Sequence, residues 1–283
     1  MRAFVFHKEP VEKVNDICGT TPLKDLVIHL QNSGVTEIYS DCEENHEGVI
    51  RCDFPSAEKQ LRSGWLAAFS GCITRQSPAE LRNRTLSLGA DMGASLACSA
   101  KPWKHTTVLT DGNGFMERVE SNPSPECSET NLCFSGMIWV NSGSFDPGDP
   151  SRSALLKTGT AAFLLPGFWM CPDDRDSFLL TVHQILQREA YPWPHLSIPN
   201  NGIISHSLIP GDMEIKGTLW VGSNCLIGSG CTLENCVLLD GSSVGKNSNL
   251  RNCLVMAGTR IPENTIQYDK HLSLLGDENA GKN

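Results

Sequence analysis

Between residues 203 and 239, branched apolar residues recur every six positions: Ile203, Ile209, Ile215, Val221, Ile227, Leu233 and Leu239. No other stretch of the chain repeats. The frame slips by one at Val244, resumes with Leu250 and Met256, slips again before Ile261 and runs out near Ile266. A period of six is neither the 3.6 of an amphipathic helix nor the 2 of a hairpin meander; it is the hexapeptide pattern of a parallel β-helix, one short strand and one corner per repeat. Strand side chains alternate faces, so the residue two positions earlier must also point inward. Those positions read Ser207, Met213, Leu219, Cys225, Cys231 and Val237, small or apolar as a narrow interior requires. Turn residues follow each inward position, as in Pro210-Gly211-Asp212, Lys216-Gly217, Gly222-Ser223-Asn224 and Gly228-Ser229-Gly230, where sharp corners favour Gly or Asn at positive φ.

The first two thirds alternate strands and helices. Ala3 to Phe6 predicts a strand, Leu23, Leu26, Val27 and Leu30 line one face of a helix that Gly34 ends, and Glu37 to Tyr39 predicts a second strand. Ser77-Pro78-Ala79-Glu80 reads as a capping box that opens a helix through Leu81, Thr85 and Leu88. Asp111-Gly112-Asn113-Gly114 predicts a hairpin turn between 106–110 and 115–119. Met137 to Val140 is a further strand, and Asp176 or Ser177 caps a helix whose face carries Phe178, Val182, Ile185 and Leu186. This alternation predicts an α/β domain with a largely parallel sheet, whose ligands would sit at the carboxyl ends of the strands. The organisation expected is an α/β domain over 1–196, a β-helix over 197–268, and a tail over 269–283 whose end, from Gly276, has no apolar anchor and is expected to be disordered.

Composition narrows the function classes. At 283 residues, 40% hydrophobic and 19% charged, the chain has ordinary globular make-up. A formal charge of −9 argues against nucleic-acid or anionic-membrane partners. The N-terminus turns charged at His7-Lys8-Glu9 and the most apolar stretch, Ala161 to Cys171, is broken by Pro166 and Gly167, so a cytoplasmic location is expected. The 12 cysteines include no C-x-x-C pair, which favours reduced, buried thiols over a zinc site. The short coil stack offers a flat side to another copy, so a closed homo-oligomer is expected.

Four stretches, taken in order with the repeat, resemble the sugar nucleotidyltransferases, or NDP-sugar pyrophosphorylases. Pro22-Leu23 through Gly34-Val35-Thr36-Glu37-Ile38 is similar to the family's "P-L-I-x-x-x-I-x-x-L-x-x-x-G-V-x-E-I"; Asp111-Gly112 through Glu120-Ser121-Asn122-Pro123 to its "D-x-x-G-x-V-x-x-I-x-E-K-P"; Cys133 through Val140 to its "N-A-G-I-Y-V"; and Gly167-Phe168-Trp169-Met170-Cys171-Pro172, with Ser177-Phe178-Leu179, to its "G-x-W-x-D-I-G-T-P-x-x-Y-L". The resemblance implies a Rossmann-like nucleotidyltransferase domain, here truncated, followed by a left-handed parallel β-helix.

The chemistry departs from that family. Nucleotidyl transfer needs a glycine-rich, cationic phosphate cradle, which the family supplies as "G-x-G-T-R" and "P-K-P". The interval from His7 to Thr21 is too short for either, leaving Lys8, Lys13 and Cys18-Gly19-Thr20. A second deletion falls between Asp41 and Gly64, and Lys157-Thr158-Gly159-Thr160-Ala161 mimics the lost base-reading segment only far downstream. The family's two magnesium aspartates correspond to Cys72 and Cys171. Mg²⁺ selects oxygen ligands, and a thiol is a soft, mostly protonated substitute; a softer metal shared by the two cysteines is the alternative. The "E-K-P" lysine is gone too, which leaves Glu120 and Gly136 as remnants of sugar contact. The expectation is therefore a non-catalytic or regulatory homologue that binds a sugar nucleotide or an active paralogue, with no catalytic residue, no metal ligand and no cofactor. An active pyrophosphorylase, which would need Mg²⁺, is the second reading. A hexapeptide-repeat acyltransferase is the third, with His206 and His271 as the histidines to weigh as a general base.

Overall fold

The computed structural model describes residues 1–7, 17–43, 45–61, 64–142, 159–172, 174–189, 193, 195 and 197–273. Lys8, Lys13, Lys157, Thr158 and the tail from Gly276 lie outside the described residues. The chain divides into two compact units, Met1–Pro10 with Thr21–Met170 and Val11–Thr20 with Cys171–Asn283. No helix among the described residues is long and apolar enough to cross a membrane.

The first unit runs β1 (Arg2–Phe6), α1 (Pro22–Asn32), β2 (Glu37–Ser40), β3 (Val49–Arg51), α2 (Phe54–Leu61), β4 (Trp65–Phe69), β5 (Ile73–Thr74), α3 (Pro78–Leu88), β6 (Met92–Cys98), β7 (Thr106–Thr110), β8 (Met116–Ser121), β9 (Leu132–Val140), β10 (Thr160–Leu164) and β11 (Trp169–Met170). Its main sheet has the order β10-β6-β9-β4-β1-β2-β3, with the β7–β8 hairpin off β9. The sheet is mixed. Parallel pairs link β10 to β6 and join β4, β1, β2 and β3, while β9 runs against both β4 and β6. Alternation gives the central strands β1, β4 and β9 two buried faces. Phe4, Phe6, Trp65, Ala67 and Ile138 pack with Phe54, Ala57 and Leu61 of α2 on one face. Ala3, Val5, Leu66, Ala68, Met137 and Trp139 pack with Leu23, Leu26, Val27 and Leu30 of α1 and Leu81 of α3 on the other.

Helix starts follow the local sequence, with two corrections. At α3 the Ser77 hydroxyl accepts from the Glu80 amide at 3.2 Å. The Glu80 carboxylate, however, pairs with Arg84 at 2.6 Å, so the capping box is only half formed, and Leu88 points to solvent. The helix expected to start from Asp176 or Ser177 is α4 (Arg175–Leu186), capped by Asp174, whose carboxylate accepts from the Ser177 amide while the Ser177 hydroxyl accepts from the Asp174 amide. An acid one position ahead of the helix satisfies the orphan amides better than one inside it.

After α4 the second unit carries β12 (Ile203–Ser205), β13 (Glu214–Val221), β14 (Leu226–Ile227), β15 (Thr232–Leu238), β16 (Ser243–Val244), β17 (Asn249–Arg251), β18 (Leu254–Val255), β19 (Arg260–Ile261), β20 (Ile266–Tyr268) and β21 (His271–Leu272). All pair in parallel with the strand one coil away, for example Leu219 with Cys236, Leu226 with Ser243 and Leu254 with His271. These stacked parallel coils form a β-helix whose interior holds Leu219, Val221, Cys225, Cys231, Leu233, Cys236, Leu238, Val244, Leu250, Cys253, Val255 and Ile261. Two rungs of the expected ladder move by one: Leu238 and Val255 point inward where Leu239 and Met256 were expected, and Cys236 takes the companion place given to Val237. The cause is a tighter corner at Asn235 and Asn252, both at φ +50. The interior thiols are hydrogen-bonded across coils: Cys225, Cys231, Cys236 and Cys253 donate to the carbonyls of Leu239, Gly245, Leu250 and Gln267, at 3.2 to 3.5 Å. Cysteine suits these places because it is small, apolar and still a weak donor.

Candidate functional site

Strands β1, β2, β3, β4, β6 and β10 of the first unit all point the same way, so their carboxyl ends form one rim. A rim of this kind is where α/β sheets bind ligands, because loops can diverge there around exposed backbone ends. Here it collects His7 after β1, Asp41 after β2, Ser70, Gly71 and Cys72 after β4, the segment to His105 after β6, and Leu165 to Trp169 after β10. The amino half of β9, with Cys133 to Gly136, reaches the same edge because β9 runs the other way.

Polar contacts tie the rim together. The His7 amide donates to the Asp41 carboxylate at 2.9 Å, its Nδ1 lies 3.4 Å from the Ser70 hydroxyl, and the Ser70 amide donates to the Phe6 carbonyl at 3.1 Å. Aromatic rings line the floor: Phe6 stacks on Phe69 at 5.3 Å, and Phe69 meets Phe134 edge-on at 5.6 Å. Trp169 packs edge-to-face on His105 at 5.1 Å, and its indole N–H is buried with no hydrogen-bond partner among the described residues. Burial pushes the Cys133 thiol up to about 12, so it stays protonated and unreactive at neutral pH.

Of the residues singled out from sequence, Gly136 and Cys72 come together. Gly136 has φ +98, and a Cβ there would lie 3.8 Å from both Cβ and Sγ of Cys72 and 3.6 Å from the Phe69 carbonyl oxygen. Only glycine takes that backbone readily, so the segment passes over Cys72 with its backbone rather than a side chain. Glu120 stands farther along the edge: it is in register with Thr107, which is in register with Cys133. Its carboxylate lies 3.2 Å from Arg118, which also holds Glu129 at 2.6 Å, and it is 37% exposed. Cys171 belongs to the second compact unit. Among the described residues no group of three or more His, Cys, Asp or Glu is gathered to hold a metal ion. Of the two candidate histidines, His206 is exposed and rests edge-on against Trp220 at 5.1 Å. The side chain of His271 lies outside the described residues. A groove of about 760 Å³ runs along α3, lined by Ser77, Glu80, Arg84, Leu88 and Phe163 among others, and includes none of Cys72, Glu120 and Gly136.

Sequence reasoning passed over the polar network beneath the rim. Asp25 of α1, fully buried, receives both terminal nitrogens of Arg75 at 2.8 and 2.9 Å. His29 Nε2 donates to the Gln76 carbonyl at 2.8 Å, and burial first, then Arg75, hold the ring below its ordinary titration range against the opposing pull of that hydrogen bond and of Asp25. A single sequence offers no sign of this, since Asp25 reads as a first-turn helix acid and Arg75-Gln76 as a loop.

Residues 196–271 match the family model described as GlmU-like, C-terminal hexapeptide. No curated protein matches the chain. The hexapeptide repeat is thus found by sequence pattern, by strand register and by family model alike.

Proposed function

We propose that this chain is a sugar-nucleotidyltransferase-like protein that acts without catalysis, as a regulatory homologue binding a sugar nucleotide or an active partner. The observation that carries this reading is the GlmU-like hexapeptide match on 196–271 in a chain whose α/β unit presents Ser70-Gly71-Cys72 at its strand-end rim. On this reading the first unit is a truncated Rossmann-like nucleotidyltransferase fold and the coils wind left-handed. Glu120 and Gly136 take the sugar: Glu120 as a half-exposed acceptor for hydroxyls, Gly136 as backbone that lets a ring approach. The residues present do not fit Mg²⁺, because Cys72 offers a soft thiol where a hard cation needs a carboxylate. The coil stack would then supply the surface for a homo-oligomer or for an active paralogue.

A thermal-stabilisation screen with UDP-, ADP- and GDP-sugars, run beside a pyrophosphate-release assay with sugar 1-phosphates, nucleoside triphosphates and Mg²⁺, tests the proposal. Ligand binding raises the melting temperature even where turnover is absent. Stabilisation without pyrophosphate supports the regulatory reading, whereas pyrophosphate release replaces it with an active pyrophosphorylase. Because the family match lies on the β-helix itself, acetyl-CoA belongs in the screen, and its binding would point instead to an acyltransferase.

A further inference from the structure

We infer that Gln76 is a positioning residue for the proposed sugar-nucleotide rim, its buried amide fixing the Ser135–Gly136 backbone and the end of β10 with respect to each other. The inference rests on the functional reading above. Gln76 is 0% exposed and sits between β5 and α3. Its Nε2 donates to the Leu96 carbonyl at 2.9 Å and the Leu165 carbonyl at 3.0 Å, and its Oε1 accepts from the Ser135 hydroxyl at 2.5 Å. Both amide hydrogens and the amide oxygen are therefore committed, which fixes the orientation of the group. Its backbone is held as well, the amide by the Thr74 hydroxyl at 3.1 Å and the carbonyl by His29 at 2.8 Å.

The three side-chain contacts fall on three different parts of the rim. Leu96 lies near the carboxyl end of β6, Leu165 follows β10, and Ser135 immediately precedes the positive-φ glycine that passes over Cys72. Ser135 extends the network to Ser95, 2.8 Å away, whose hydroxyl in turn accepts from the Met137 amide. Gly136 thus lies between two residues held by one chain of hydrogen bonds that begins at Gln76. The neighbouring Arg75 amide donates to the Phe168 carbonyl at 2.8 Å, next to Trp169. A carboxamide does this where a carboxylate cannot, because two carbonyls need two donors and an ionised acid has none.

Hydrogen exchange on the full-length chain separates local positioning from general stability. Gln76→Leu should accelerate exchange at residues 134–137 and 164–168 at least tenfold, and leave the coils at 219–261 unchanged. Uniform acceleration across the chain, or none at those segments, overturns the inference. If Gln76→Leu does not fold, Ser135→Ala decides: it keeps both carbonyl contacts, so faster exchange confined to 134–137 is expected and its absence is a refutation. With whichever UDP-, ADP- or GDP-sugar stabilises the wild type, Gln76→Leu should weaken binding at least tenfold. Leu30→Ala, a core change in α1, should leave affinity intact at a comparable loss of melting temperature. Equal loss of affinity in both reduces Gln76 to a structural role. A wild type that binds no sugar nucleotide refutes the sugar-nucleotide arm of the functional reading and leaves the active-partner arm, while the exchange result still decides whether Gln76 holds the rim.

Discussion

Asp25 and Arg75 show how much a single buried contact carries in this fold. The carboxylate is fully buried and the guanidinium only 10% exposed, so water relieves neither charge if the other is removed. Breaking such a pair from one side typically costs about 3–5 kcal/mol, while replacing both partners with apolar residues can be neutral. Arg75→Leu should therefore destabilise the protein by about that much, and Asp25→Leu combined with Arg75→Leu should recover a large part of it, as urea denaturation of the two variants would show. Next to the pair, His29 sets a pH dependence. Burial lowers its pKa from the ordinary 6.5, so the folded state favours the neutral ring. Its contribution to stability is complete above 6.5 and is lost as pH falls below it, because the unfolded chain then takes up a proton that the folded chain resists. Wild type should lose more stability between pH 7.5 and 5.5 than His29→Gln, which keeps a donor for the Gln76 carbonyl and cannot titrate. His183, also held low by burial, titrates in both proteins and does not affect the comparison.

The repeat is the element that the sequence makes most legible, and its misplaced rungs show where legibility ends. A six-residue frame carried forward from Leu233 lands on Leu239, which is apolar, within the run Val237-Leu238-Leu239, so pattern alone cannot choose among the three. The corner chooses. Asn235, Asn252 and Asp269 each sit at positive φ, and their side chains form a ladder up the stack, with Asn235 Nδ2 donating to Asn252 Oδ1 at 3.4 Å and Asn252 Nδ2 to Asp269 Oδ1 at 2.8 Å. At the foot of the ladder a Cβ on Gly217 would lie 2.1 Å from Asn235 Oδ1, so any other residue would push that side chain out of the ladder, and the φ of +64 favours glycine as well. This tight corner uses one residue fewer and turns Leu238 inward. Leu238→Ala should then cost about 2–5 kcal/mol, as expected for truncating a fully buried aliphatic side chain, whereas Leu239→Ala, half-buried and outside the interior, should cost well under half as much. Equal losses in thermal unfolding would restore the uncorrected frame. The rim was less legible for a different reason: Glu120, Gly136 and Cys72 carry local motif signals, whereas Gln76 and Ser95 act through partners tens of residues away, which no local pattern encodes.

At the scale of the whole chain, the division into units follows an outward face of the coils rather than the end of the repeat. Trp220, Val237 and Leu254 stand in register on neighbouring strands, between inward residues, and so must point out of the prism, yet they are 4%, 0% and 0% exposed. Helix α4 packs against β13 and β15 and buries Phe178, Val182, Ile185 and Leu186. An outward stripe of large apolar residues is unstable in water at roughly 25 cal/mol for each Å² uncovered, and contiguous patches of that kind drive association. The second compact unit, Val11–Thr20 with Cys171–Asn283, accordingly takes in α4 along with the coils. Periodicity could not reveal this, because α4 shows the 3.6 pattern of any amphipathic helix and nothing in that pattern names the surface it covers. A fragment starting at residue 197 should expose the stripe, bind the hydrophobic dye ANS and self-associate. One starting at Cys171 should keep α4, bind markedly less dye and unfold at a higher temperature. Trp220→Ser in the longer fragment should loosen the helix and raise dye binding toward that of the shorter one; dye binding that is the same in both fragments would mean that α4 is not what covers these residues.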